Sequence, residues 1–495
     1  LVQAQWCADA MEGDGATDTT AVVSCFERWF NEHCCVMEKV QVSSTPLGLG
    51  LRAMKDVEAE EVAVSIPLDL ILTVSTALRS NIGKSLLGSK TTRSQRVSAQ
   101  ALMYVVMIHG WHNTNSKWHP YLRQIPTKHG DPLWWTTAER EERLMGTQLL
   151  YETQRHEIQL RSVYESLFPA LSQELPEEFP AKQYTFDAFT WARSSLASRC
   201  FAESHLDNFL SGQMSQEIAS AVKMLRLSPE EAERLSLDCS GMLCPLLDTG
   251  NHDPAVDLDV GLCMSRKGIH LGLARKSVVA AGQEYFINYG NHRSNLQLLL
   301  GHGFCLPDNP KDTMPMKLGD LPISEVRKQA LEMSGLKMNE VHELSRADLL
   351  PDRLFALLRL LSLSESSLQT LLDSSNSSTL LAMLSTVVDV KLDPYCELQV
   401  LDLFQQELQK KQRSIPKDKL ELREVDTWES RCDFYAAIYR SGQLEIIQAA
   451  LEEAKSRQRV FIEDNDLQVG DEGEEGEEEE DDAEDEVVDP VVKKP

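Results

Sequence analysis

Four stretches of this chain gather residue types that could do chemistry. In Gly48-Leu49-Gly50-Leu51-Arg52 two glycines stand beside strand-forming residues, which lets a ligand lie close to the backbone; an ordinary tight turn is the plain alternative. The stretch is not a dinucleotide fingerprint, because a third glycine and a following helix are absent. In Trp191-Ala192-Arg193-Ser194-Ser195-Leu196-Ala197-Ser198-Arg199-Cys200-Phe201, Arg199 ends a mild helical pattern, where its guanidinium could clamp a carboxylate through two parallel hydrogen bonds. A surface arginine is the alternative. In Cys244-Pro245-Leu246-Leu247-Asp248-Thr249-Gly250-Asn251-His252 polar groups follow an apolar run. Asp248 and His252 could begin a metal site, but no third ligand stands at a sensible spacing, and an asparagine-capped turn explains the run as well. The fourth stretch is Glu284-Tyr285-Phe286-Ile287-Asn288-Tyr289-Gly290, followed by Ser294-Asn295 and Gly303-Phe304. Its Tyr289 could orient a reacting group or simply pack.

The elements that must position these residues can be read from apolar periodicity. Val40 and Val42, Leu49 and Leu51, and Val62, Val64 and Ile66 alternate as short strands, with turns at Thr45-Pro46 and Gly48. Helical patterning dominates from about 94 to 235, with Val97, Leu102, Val105 and Val106 on one stripe and Leu149, Leu160 and Val163 on a long charged segment. Strand character returns at Ile269–Leu273 and Tyr285–Tyr289. From about Leu321 to Ile462 the pattern is nearly all helical, with stripes at Leu354, Leu357, Leu358 and Leu361 and at Ile446, Ile447 and Leu451. This order predicts an α+β domain split by a helical insertion and followed by an all-α domain. The expected boundaries are a leader over 1–35, an α+β domain over 36–310 with its insertion at about 94–235, a helical domain over 311–462 and a disordered acidic tail over 463–495.

With 495 residues, 42% of them hydrophobic and 25% charged, the chain is long enough for more than one globular domain. Its net charge of −28 is uneven, since Asp471 to Glu486 holds 13 acids and no base. The remainder is still acidic and offers no basic face for nucleic acid, so a basic protein partner, a histone or another, is the expectation. The 11 cysteines form no CxxC pair, which speaks against a zinc ribbon and for free thiols in a reducing compartment. The longest apolar run, Ala101 to Ile108, is too short to span a bilayer. The expected location is cytoplasmic or nuclear, or plastid if a transit peptide precedes Leu1. A monomer is expected.

Taken jointly, the four stretches resemble SET-domain protein methyltransferases of the Rubisco large-subunit methyltransferase-like class. The shared features are the GxG strand, the serine-arginine-x-phenylalanine segment ending at Phe201, the proline-x-x-aspartate-x-x-asparagine-histidine segment, and a tyrosine fifteen positions before the phenylalanine of a glycine-phenylalanine pair, here Tyr289 and Phe304. The resemblance covers roughly Val40 to Pro310. It implies SET-type small β-sheets, with the helical segment as a C-terminal substrate-binding domain that includes Tyr439-Arg440-Ser441-Gly442-Gln443. It also implies S-adenosyl-L-methionine as the cofactor, no metal, and methyl transfer to a lysine of a protein.

Carried over residue by residue, Leu49 contributes backbone contacts to the cofactor, Arg199 pairs its carboxylate, Asn251 and His252 hold its amino-acid and adenine parts, and Phe304 packs on the adenine. Tyr289 touches both cofactor and acceptor and is the expected catalytic residue. Ser198, Phe201, Asp248 and Ile287 match positions that line the acceptor channel. Two departures stand out. Leu47 replaces a glutamate found in some relatives, and Asp253 to Ile269 lacks a second channel tyrosine that relatives often carry. A relative in this branch methylates a histidine of actin, so histidine is an alternative acceptor. A catalytically silent SET-fold binding module is the alternative of another class, and an acidic chaperone acting through the tail is a third.

Overall fold

The computed structural model describes residues 26–467, without 27, 34, 46–47, 95–96, 203–240, 266–267, 320–321, 394 and 418–426. Most of the leader, Pro46 and Leu47, the end of the insertion from 203 and the tail from 468 therefore lie outside the described residues.

The alternating valines and leucines form β1 (Val40–Thr45) and β2 (Gly48–Ala53), paired antiparallel with Val42 opposite Leu51. Val40, Val42 and Leu51 bury one face of this hairpin. β3 (Val62–Pro67) is the edge of a second antiparallel sheet completed by β6 (Leu258–Ser265) and β7 (Gly268–Arg275), with β7 in the middle. A short pair joins β4 (Cys200–Ala202) to β5 (Gly241–Leu243). Between β3 and β4 lies the helical insertion, which begins at the helix Val74–Arg79, earlier than the apolar pattern implied. The helix Ala99–His112 is buried almost all round, because it packs between the helix Phe186–Arg199 and the short helices of the insertion. Ser98 caps it by accepting the Ala101 amide. Residues 28–32 are helical, and Phe26, Trp29 and Phe30 join the same core as the sheets and the insertion.

The C-terminal part is helical, as expected, and holds a separate core around Leu354, Leu357, Leu358, Phe404 and Ile447. It also contains an antiparallel strand pair that helical patterning hid, β8 (Thr313–Lys317) with β9 (Val341–Ser345), with the helix Glu325–Ser334 between them in the chain. A third cluster joins the two parts, with Trp135, Leu144, Leu149 and Leu299 on one side and Cys432, Ala436 and Tyr439 from the helix Trp428–Asp464 on the other. The stretch Tyr439 to Gln443 is this seam. Tyr439 is fully buried, Arg440 donates to the Arg143 carbonyl, and Gln443 Nε2 donates to the Thr313 carbonyl at 2.9 Å. A Cβ at Gly442 would stand 2.6 Å from Asp312 Oδ2, so only glycine admits this approach.

One expected strand is absent. Tyr285–Tyr289 makes isolated bridges instead, because it hydrogen-bonds first to β2 and then to residues 251–253 on its other side. Serving two partners in turn prevents a regular ladder.

Candidate active site

The 283–287 segment runs between β2 and residues 250–253. The Ala53 amide donates to Gln283 O and the Tyr285 amide to Leu51 O, while the Ile287 amide donates to Asn251 O and the Asp253 amide to Ile287 O. Two glycines make the packing this tight. A Cβ at Gly50 would meet Asn251 Nδ2 at 2.7 Å and Glu284 Oε1 at 2.8 Å, and one at Gly250 would meet Ile287 Cγ2 at 2.7 Å. Asn251 Nδ2 donates to Glu284 Oε1 at 2.7 Å and to Thr45 Oγ1 at 3.1 Å, tying the GxG strand to the asparagine-histidine turn.

Tyr289 is fixed at both ends. Its hydroxyl donates to the Gly250 carbonyl at 3.0 Å, and its amide donates to His252 Nδ1 at 3.1 Å. Its ring is stacked between two histidines, His252 with centroids 5.0 Å apart and His302 at 4.9 Å. Burial pushes the Tyr289 phenol up to about 12, against the pull of Arg199. Burial pushes His302 down to about 3, so its imidazole is neutral, and its Nδ1 is buried with no partner among the described residues. Phe304 follows Gly303, whose left-handed backbone (φ 79°) ends the helix Asn295–His302 and turns the ring back toward Tyr289 and Tyr435.

Arg199 sits at the C-terminal end of the helix Phe186–Arg199, where a cation is favoured by the helix dipole. Its guanidinium donates to the Asp248 carbonyl at 3.2 Å and lies 3.6 Å from Asp248 Oδ2. The Tyr121 hydroxyl donates to the same Oδ2 at 2.5 Å. Burial raises the Asp248 carboxyl above its ordinary range, although Arg199 and Tyr121 both favour its charged form. Asp248 Oδ1 and the neighbouring Thr249 Oγ1 are buried with no partner among the described residues.

A single cleft is lined by Leu49, Arg199, Asn251, His252, Tyr289 and Phe304, all six residues expected at the donor, together with Ser198 and Asp248. The other two expected residues lie elsewhere. Phe201 lines a neighbouring cleft beside Tyr104 and Leu196, and Ile287 is buried against Gly250. Seven lining residues carried no sequence signal: Gln124, Pro126 and His129 from the insertion, His302, Cys305 and Leu306 around Phe304, and Tyr435 from the C-terminal helix. His129 contacts Ser195 Oγ at 2.9 Å, and burial holds it at about 3, hence neutral. Among the described residues no group of three His, Cys, Asp or Glu could hold a metal ion, and no helix is long and apolar enough to cross a membrane.

No protein-family model matches the chain. It is 27% identical over 297 residues to the chloroplastic fructose-bisphosphate aldolase-lysine N-methyltransferase of Arabidopsis thaliana, covering 58% of this chain and 52% of that protein. It is 26% identical over 444 residues to the actin-histidine N-methyltransferase of Mus musculus, covering 86% of this chain and 67% of that protein. In most such matches the chain spans about half the length of the relative. Among solved structures it is similar to the SET domain of LSMT bound to lysine and AdoHcy, with a TM-score of 0.68 at 18% identity over 90% of this chain and 94% of that one. It is likewise similar to Rubisco LSMT bound to AdoMet, with a TM-score of 0.64 at 21% identity, covering 89% of this chain and 93% of that one. The chain has the SET-type fold with a helical C-terminal part, and the resemblance seen in its motifs extends to its architecture.

Proposed function

We propose that this chain is an S-adenosylmethionine-dependent protein methyltransferase acting on a lysine side chain. The observation that carries the reading is the gathering in one cleft of all six residues expected at the donor. The cleft fits such a donor. Arg199 brings a positive charge to it, Phe304 a half-buried ring, and Asp248 Oδ1, Thr249 Oγ1 and His302 Nδ1 are polar atoms with unused bonding capacity. The bound donor would supply a methyl group on a positively charged sulfur.

In this reading Arg199 pairs the donor's carboxylate while Asp248, buried and bonded to Tyr121, sets the guanidinium's position. Leu49, Asn251, His252 and Phe304 hold the remainder. Tyr289 keeps its proton at neutral pH, since its phenol titrates near 12, so it is not a base. Its O–H is committed to the Gly250 carbonyl, which leaves the oxygen lone pairs to accept from an acceptor amine and to make weak C–H···O contacts with a methyl group. An amine with an ordinary pKa of about 10.4 must first shed a proton, and burial beside a cation lowers that value. Alignment is then the main demand, and the histidine stack around Tyr289 provides it. The acidic chain suits a basic protein substrate. A histidine acceptor is the second reading, favoured by the match to an actin-histidine methyltransferase along 86% of this chain.

Incubating a proteome with labelled donor and mapping the modified residues tests the proposal. Wild-type chain should label lysine, and Tyr289→Phe should cut turnover on the order of 10²-fold. Labelled histidine would replace the lysine reading. No label from wild type, or full activity in Tyr289→Phe, would overturn the assignment.

A further inference from the structure

Behind the cleft lies a pocket that methyl transfer does not use. It is lined by Trp111, Trp134 and Trp191, with Asp187, Ile108 and His112 completing the wall. Trp111 and Trp191 stand at 63° with centroids 6.1 Å apart, forming two sides of a corner. The Trp134 and Trp191 indoles are anchored from behind, Trp134 Nε1 donating to Ser194 Oγ at 3.1 Å and Trp191 Nε1 to the Pro126 carbonyl at 2.9 Å. Trp111 differs, because its indole N–H is buried with no acceptor among the described residues. The cavity measures about 210 Å³. That exceeds the roughly 150 Å³ apolar cavity known to take up benzene, a molecule of about the bulk of a trimethylammonium head.

Three indoles facing one space, with a carboxylate at the rim, favour a cation that is poorly hydrated and apolar at its surface. Asp187 is exposed there, in the first turn of the helix Phe186–Arg199. The Trp111 ring already carries one cation, the Arg123 guanidinium 4.1 Å from its centroid. His112 adds no charge at neutral pH, because burial and neighbouring cations lower its pKa. An ammonium with free N–H bonds would lose hydration in this pocket, whereas an alkylated one loses little.

We infer that this tryptophan pocket binds an alkylated ammonium, and specifically a methylated lysine side chain of a protein partner. That the occupant is a methylated lysine rests on the proposed activity; the preference for an alkylammonium does not. The pocket shares a wall with the cleft, since Pro126 lines the cleft and accepts from Trp191, and the helix bearing Trp191 ends at Arg199. Marked protein held here would remain next to the site of transfer.

Fluorine NMR on the full chain labelled with 5-fluorotryptophan tests this, with resonances assigned by single Trp→Phe variants among the 8 tryptophans. Choline should shift the signals of Trp111, Trp134 and Trp191 saturably, and its neutral isostere 3,3-dimethyl-1-butanol should not. A trimethyllysine peptide should bind at least about tenfold more tightly than its unmodified form, and Trp134→Leu should weaken it about tenfold with the other signals in place. Equal shifts from the neutral isostere, or shifts confined to other tryptophans, would overturn the pocket's cation preference. Binding of choline without discrimination between the two peptides would overturn the methyl-lysine occupant. None of these readouts requires methyl transfer, so their failure and that of the proposed activity are separable.

Discussion

The cleft and the C-terminal helical core each set an arginine against a buried carboxylate, and they treat the pair in different ways. In the helical core Arg359 grips Glu397 through two parallel bonds of 2.7 and 2.8 Å, and its remaining edge donates to the Leu384 carbonyl at 2.9 Å. That pair is closed. In the cleft Arg199 donates to the Asp248 backbone carbonyl at 3.2 Å and lies 3.6 Å from its Oδ2, and Asp248 Oδ1, Thr249 Oγ1 and His302 Nδ1 have no partner among the described residues. Buried polar atoms are normally satisfied, so unsatisfied ones on residues that line a cleft leave bonding capacity for a ligand there, while a closed pair marks structure.

Breaking the closed pair should have the largest effect on stability. Glu397→Ala leaves Arg359 buried without its carboxylate and should destabilise the chain by about 3–5 kcal/mol in denaturant melts, with donor affinity unchanged under native conditions. A loss below about 1 kcal/mol would erase the contrast.

The seam between the two regions supplies a pH test. Asp312 accepts from the Asn295 and Thr313 amides at 2.9 and 3.1 Å, yet burial pushes its carboxyl up to about 6 from an ordinary 3.8. Because the folded value is the higher one, its contribution is fully present below pH about 4 and is lost as pH rises through about 6. That loss amounts to about 2–3 kcal/mol. Asp312→Asn keeps the amide acceptor and should flatten the stability profile between pH 4 and 7; an unaltered profile would contradict the assignment.

The smallest change probes the open side. Thr249→Val removes a hydroxyl that has no partner among the described residues, so stability should move by less than about 0.5 kcal/mol while donor affinity falls several-fold. A large destabilisation with normal affinity would mean that the hydroxyl serves the fold.

What could be read from the sequence follows the same division. The valine and leucine alternation marked β1 and β2, where Val40, Val42 and Leu51 are buried, and also marked β3, although there Ala63 to Ile66 are buried on both faces and Val62 is exposed. The six residues expected at the donor, which line one cleft, were legible only through the resemblance of the four stretches taken jointly, since each stretch alone also reads as a turn, a surface arginine or a packed ring. Tyr121, His129 and Tyr435 were not legible, because they carry no local pattern and come from far away in the sequence: Tyr121 reaches Asp248 from the helix His119–Gln124, His129 lines the cleft from the loop that follows, and Tyr435 lines it from the helix Trp428–Asp464. Asp248 was legible as a site residue but not its bond to Tyr121, 127 positions away. Phe201 and Ile287, expected in the acceptor channel, are not among the residues lining that cleft: Phe201 lines the neighbouring one and Ile287 packs against Gly250.

Calorimetric titration of S-adenosylhomocysteine, the demethylated product, into the intact chain and into Arg199→Ala tests the central claim most directly. The account predicts one-to-one binding well below millimolar, weakened in the variant by about 1.5–3 kcal/mol, or roughly 10- to 150-fold. Absence of heat at millimolar ligand, or equal affinity in the two proteins, would contradict it.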